Sequence, residues 1–136
     1  MTGIGDGTAC DYVNACHIPP LHDGSPEYIC SQGPIPATVG DFWKLVKQQR
    51  TRVVVMVTNL IEMQRRKCEQ YWPDSDGETL SFPESSAGFA VDVTRTGETV
   101  FSGWIERYFS VVEWHPDGQM PPATLSAINL RFPSAA

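Results

Sequence analysis

The stretch T-V-G-D-F-W-K-L-V-K-Q-Q-R at Thr38–Arg50, running into V-V-V-M-V-T at Val53–Thr58, decides the fold class. Val39, Phe42, Trp43 and Val46 recur at i, i+3, i+4 and i+7, which is one apolar stripe along a helix. Thr38 is a suitable N-cap, and Asp41 stands where an acidic side chain meets the positive end of that helix. Lys44, Lys47, Gln48 and Gln49 are expected to face water. The β-branched run that follows shows no polar alternation, which predicts a strand covered on both faces. A helix feeding directly into such a strand implies a mixed α/β sheet with helical cover.

Working outward toward the N-terminus, Asp11–Ile18 and Glu27–Ser31 read as short strands. Pro19-Pro20 stops the first, Gly33-Pro34 closes the second, and turn chemistry at His22–Pro26 lies between them. The Gly3, Gly5, Gly7 spacing has no strand before it, so residues 1–9 read as a flexible terminus rather than a nucleotide loop. His17 and His22 are expected to be surface or satisfied histidines.

Toward the C-terminus, Glu62–Cys68 is a charged connection and Tyr71-Trp72 an expected piece of core. Asp74–Thr79 reads as a solvated turn, because the twelfth position of a calcium loop starting there is Ser85. Phe89, Val91 and Val93 alternate with Ala90, Asp92 and Thr94, a period of two. Arg95–Glu98 is expected to be a hairpin turn, Thr99–Ile105 its returning strand and Tyr108–Val112 a further strand.

At 136 residues, 41% hydrophobic and 19% charged, the chain is long enough to bury a core and is read as one domain or part of one. A net charge of -6 argues against nonspecific binding to nucleic acid or anionic lipid. The longest apolar run, Val53–Val57, is too short to span a bilayer, and M-T-G-I-G-D-G lacks the features of a signal peptide. Cys10, Cys16, Cys30 and Cys68 show no zinc or thioredoxin spacing, so free thiols in the cytoplasm, or in the cytoplasmic portion of a receptor, are expected.

D-Y-V-N-A at Asp11–Ala15, Q-G-P at Gln32–Pro34, D-F-W at Asp41–Trp43 and K-C-E-Q-Y-W-P at Lys67–Pro73, in that order, resemble the protein tyrosine phosphatase domain. The resemblance covers about residues 10–130, read as a partial domain over 10–136, the middle of a whole catalytic domain. It implies a twisted mixed sheet with helical cover and a phosphotyrosine protein as substrate, with no cofactor and no metal. It also implies that Glu62 braces the arginine of the phosphate-binding loop, and that Lys67 projects toward the active site and contacts a mobile acid loop. In the family that loop has the form W-P-D-x-G-x-P, and its aspartate protonates the leaving tyrosine oxygen. Here Trp114–Pro121 reads W-H-P-D-G-Q-M-P, so Asp117 is the counterpart, with His115 inserted before the proline.

The family's nucleophile is a low-pKa cysteine in His-Cys-x5-Arg, whose backbone N–H groups and arginine cradle the phosphate. Six residues after Cys10, Cys16, Cys30 and Cys68 stand Cys16, His22, Pro36 and Asp74, so none fits. Ala123–Phe132 could begin the helix that precedes the nucleophile loop in the family. Three expectations follow: a phosphatase part inactive alone, a non-catalytic interaction module whose open sheet a protein partner covers, or a remnant without function.

Overall fold

A computed structural model describes residues 14–84 and 88–115, together with the strands Gly118–Gln119 and Ala123–Leu130. A ribbon of β1 (Ala15–Ile18) and β2 (Tyr28–Ser31) leads through a 3-10 turn at Pro36–Thr38 into α1 (Val39–Gln48). There follow β3 (Val53–Met56), a small hairpin of β4 (Ile61–Glu62) and β5 (Arg65–Arg66), then β6 (Thr79–Phe82) and β7 (Ala90–Val100). β8 (Trp104–His115), β9 (Gly118–Gln119) and β10 (Ala123–Leu130) complete the order. The main sheet runs β3-β10-β8-β7-β6, with β9 paired to the end of β8. β3 and β10 are parallel, from Val53 opposite Ser126 to Met56 opposite Asn129, while the remaining pairs are antiparallel. The fold is therefore the mixed α/β class expected.

The core forms where the helical stripe meets one sheet face. Val39, Trp43 and Val46 of α1 pack with Val91 and Val93 of β7 and Phe109 and Val111 of β8. Met56, Cys68, Tyr71, Trp72 and Phe89 complete this cluster, and Phe42 lies at its margin. Trp43 meets Phe109 edge-on at 5.4 Å and donates its indole N–H to the Tyr71 carbonyl at 2.5 Å. That bond satisfies the polar handle of a fully buried ring. Burying a side chain the size of Phe109 contributes about 1.5–3 kcal/mol.

Two motifs that are distant in sequence interlock here. A Cβ added to Gly33 would lie 2.8 Å from both Cβ and Sγ of Cys68, so only glycine lets the chain pass. The Glu69 N–H then donates to the Pro34 carbonyl at 2.7 Å, fixing Q-G-P against K-C-E.

Several expectations give way. Val53 and Val55 are exposed: among the described residues β3 is the edge strand, and Val54 and Met56 turn inward while the opposite face is uncovered. The strand also ends at Met56 rather than Thr58. Lys44 is buried instead of solvated, its ammonium donating to the Pro83 carbonyl at 2.5 Å. The stem covers apolar surface while the head finds an acceptor, and burial lowers its pKa against the opposing pull of Asp41 and Glu84. The Thr38 hydroxyl makes no cap to α1; it accepts from the Ile35 N–H at 3.1 Å and closes the preceding turn.

Arg95–Glu98 is not a turn. β7 runs through it with a bulge between Arg95 and Gly97, and the chain reverses at Phe101–Trp104, where the Phe101 N–H meets the Trp104 carbonyl at 2.9 Å. Ser102 and Gly103 make that reversal. Finally, Ala123–Leu130 is a strand, not the start of a helix. It fills the slot between β3 and β8, and a helix there would leave both neighbours' ladders unpaired. Residues 11–13 of the first expected strand and the Gly3–Gly7 stretch lie outside the described residues.

Candidate active site

In sheets of parallel strands, ligands gather beyond the carboxyl ends. The carboxyl ends of the parallel pair β3 and β10 are Met56 and Asn129, and Thr58–Lys67 follows β3 at that end. Glu62 sits there, half-buried on β4. Its Oε1 accepts the Asn59 N–H at 3.1 Å and the Thr58 hydroxyl at 3.3 Å, so the carboxylate is oriented by its own segment. In the sequence, the signal for Thr58 and Asn59 is the i to i+3 spacing of Asn59 and Glu62 alone.

The hairpin that follows turns through Met63 and Gln64, both left-handed at φ 49° and 64°. A two-residue turn of this hand requires positive φ at both positions. Glycine and asparagine usually fill them, so Met63 and Gln64 carry backbone strain here. The turn projects Arg65, Arg66 and Lys67 as exposed cations, with Arg66 reaching Glu69 at 3.3 Å. The backbone N–H groups of Lys67 and Cys68 donate to the Leu60 carbonyl at 2.8 and 3.3 Å, which ties the hairpin base to the core. Glu62 and Lys67 thus share one short hairpin.

Asp117 lies outside the described residues. Its flanks are placed: Trp114 pairs with Gln119 and His115 with Gly118, at the far end of β8. The opposite end of β8, Trp104, pairs with Leu130 beside the carboxyl end of β3. Twelve residues of strand separate those two ends, up to roughly 36 Å at the ordinary rise. The structure therefore does not bring the flanks of Asp117 to Glu62 and Lys67. Trp114 donates to Asp92 at 2.8 Å, while His115 meets Glu113 at 3.1 Å and lies 5.6 Å from the Phe89 ring.

A second charged cluster belongs to the scaffold. Arg95 is buried and reaches Asp76 at 2.9 Å, the Asp74 carbonyl at 2.7 Å, and Glu98. Arg107 lies 3.7 Å from Glu98 and 4.8 Å from the Trp72 ring centroid. This network holds the exposed Asp74–Glu78 turn to the sheet; in that turn Gly77 adopts φ 85°. Among the described residues no group of three or more His, Cys, Asp or Glu side chains could hold a metal ion, and no helix is long and apolar enough to cross a membrane.

A family model described as protein-tyrosine phosphatase matches residues 4–130. Among individual proteins, the chain is 43% identical over 97 residues to human receptor-type tyrosine-protein phosphatase H, covering 71% of this chain and 8% of that protein. It is 38% identical over 129 residues to bovine receptor-type tyrosine-protein phosphatase F, covering 89% and 7%. Against human receptor-type tyrosine-protein phosphatase eta it is 30% identical over 138 residues, covering 90% and 10%. The chain thus spans no more than 10% of the length of these relatives. With the interlocked Q-G-P and K-C-E-Q-Y-W-P segments and nearly the whole chain matched, the conclusion is direct: the chain belongs to the protein-tyrosine phosphatase family.

Proposed function

We propose that these 136 residues supply the sheet and the Glu62–Lys67 hairpin of an intracellular phosphatase domain that hydrolyses phosphotyrosine in proteins, and that they do not turn over substrate alone. The observation that carries this reading is the Glu62 carboxylate, oriented by Asn59 and Thr58 beyond the carboxyl end of a parallel strand. A carboxylate held there suits the bracing of a guanidinium that clamps phosphate, and Lys67, exposed on the same hairpin, suits contact with an anionic substrate or a closing loop.

Covalent phosphoryl transfer needs a thiolate and a charge clamp. None of the four cysteines has an arginine six residues on, and acid catalysis worth about 10²–10⁴-fold does not substitute for both. Asp117 is the acid nominated by W-H-P-D-G, through its likeness to the family's W-P-D loop. The test is hydrolysis of p-nitrophenyl phosphate by the purified chain. No turnover above buffer is expected, and turnover abolished by any single cysteine substitution would overturn the reading.

The exposed Val53 and Val55 of β3, with Val57 just beyond it, favour a second reading, an interaction module in which a protein partner covers the strand that is open among the described residues. Sedimentation showing a monomer with no tendency to associate would count against it.

A further inference from the structure

We propose that Cys16 and Cys30 form a reversible thiol–disulfide site on the β1–β2 ribbon, oxidised by a hydroperoxide. The two residues are directly opposite in the antiparallel register. Directly opposed side chains stand on the same face as close neighbours. The pairing type follows from the next rung but one: Gln32 N–H donates to the Asn14 carbonyl at 3.4 Å, so Asn14–Gln32 is a hydrogen-bonded pair. Bonded and non-bonded pairs alternate along such a ribbon, which makes Cys16–Cys30 a bonded pair with Cα atoms about 5.5 Å apart. Disulfides form over Cα separations of about 4.4–6.8 Å. The backbone is therefore already at bridging distance.

Access is equally favourable. Both thiols are free and exposed, and Cys16 Sγ donates to the His17 carbonyl at 3.8 Å. Cys68 differs: it is buried against Gly33, and burial with the nearby Glu69 charge pushes its thiol pKa up. The chemistry balances in two steps. One thiol attacks the O–O bond of the peroxide, gains an oxygen as sulfenic acid and releases water or the corresponding alcohol. The second thiol then displaces that oxygen as water and closes the S–S bond, so two thiols lose two hydrogens and the peroxide is reduced. An exposed disulfide of this kind is readily returned to thiols by a small dithiol.

The consequence for the fold is local. Among the described residues the ribbon has two strands; such a ribbon is marginal in water, and a bond across opposed residues holds its register. The ribbon continues through Gln32 into Gly33-Pro34, which is packed on Cys68 and bonded to Glu69, directly after the candidate hairpin. Oxidation would stiffen the segment leading into that contact.

The test treats the whole chain with hydrogen peroxide, alkylates the remaining thiols and cleaves at Asp23 and Glu27, which separates the two cysteines. A cross-linked Cys16–Cys30 peptide, two hydrogens lighter than its parts and released by dithiothreitol, is expected in the parent and in C10S. C16S and C30S should each lose it, and the same treatment in guanidinium should scatter the pairing among all four cysteines. Separate adducts on Cys16 and Cys30 without a cross-link would overturn the proposal. So would predominant pairing through Cys10, or equal yield of the Cys16–Cys30 bridge in folded and denatured chain.

Discussion

Two sets of β-branched and aromatic residues in the same sheet meet opposite fates. Val91, Val93, Phe109 and Val111, on β7 and β8, are 0–2% exposed beneath α1. Val53 and Val55 on β3, with Val57 just beyond it, are 49–61% exposed along the edge. Side-chain chemistry is nearly the same in both sets, so propensity does not separate them. What separates them is neighbours: among the described residues β7 and β8 have a strand on each side and a helix above, whereas β3 has β10 on one side only. Apolar surface on an open edge invites association, while the same residues under α1 hold the fold together.

The largest expected break in this contrast is Trp43→Ala. It removes the ring joining α1 to Phe109 and leaves the Tyr71 carbonyl without its donor. A loss of about 3–5 kcal/mol in urea unfolding is expected, and a loss below about 1 kcal/mol would show that the packing of α1 is not the main support. Gly33→Ala comes next, because its methyl would sit 2.8 Å from Cys68. Overpacking of this kind costs about 1–3 kcal/mol, and Cys68→Ala in the same chain should recover part of it. Additive losses in that double variant would dismiss the contact.

A direct comparison sets Val93→Ala against Val55→Ala, the same deletion on the two surfaces. The first should cost about 1.6 kcal/mol or more for two lost methyl equivalents. The second should stay within about 0.5 kcal/mol. Equal costs would mean that Val55 is covered in the isolated chain, which would remove the open surface on which the interaction-module reading rests.

The smallest effect is in alkaline solution. Burial raises the Tyr71 phenol above its ordinary 10.0, with the nearby Cys68 adding to the rise. The unfolded chain then ionises first, so stability is held below pH 10.0 and falls as pH climbs beyond it. Cys68, raised from 9.0, acts in the same direction from a lower pH, while the lowered Lys44 amine works the other way up to 10.5. Tyr71→Phe should make the decline above pH 10 shallower in chemical denaturation at stepped pH, and an unchanged slope would remove Tyr71 from the core's titration.

Residue order nominates part of the candidate site. Glu62 and Lys67 were singled out by K-C-E-Q-Y-W-P and its upstream glutamate, and the structure sets both on one hairpin. Thr58 and Asn59 escaped notice because a polar pair after a strand is ordinary loop chemistry until the chain folds back on it. Arg95 and Arg107 escaped for a related reason: their partners Asp76, Glu98 and Trp72 are assembled by strand pairing rather than by local spacing. Lys44 looked solvated on a helical wheel, yet β6 and the chain leaving it come close enough to offer the Pro83 carbonyl.

By itself the sequence determined the α1 stripe, the alternation of Phe89, Val91 and Val93, the mixed α/β class and the family. Each of these is written in local period or in motif order. Only the tertiary structure decided that β3 is an edge, that Ala123–Leu130 is a strand between β3 and β8, and that β7 passes through Arg95–Glu98 with a bulge. It alone decided that the flanks of Asp117 lie at the far end of β8 from Glu62. The physical reason is that side-chain period is a property of one element, whereas pairing, register and sheet order depend on hydrogen-bond partners supplied by distant segments.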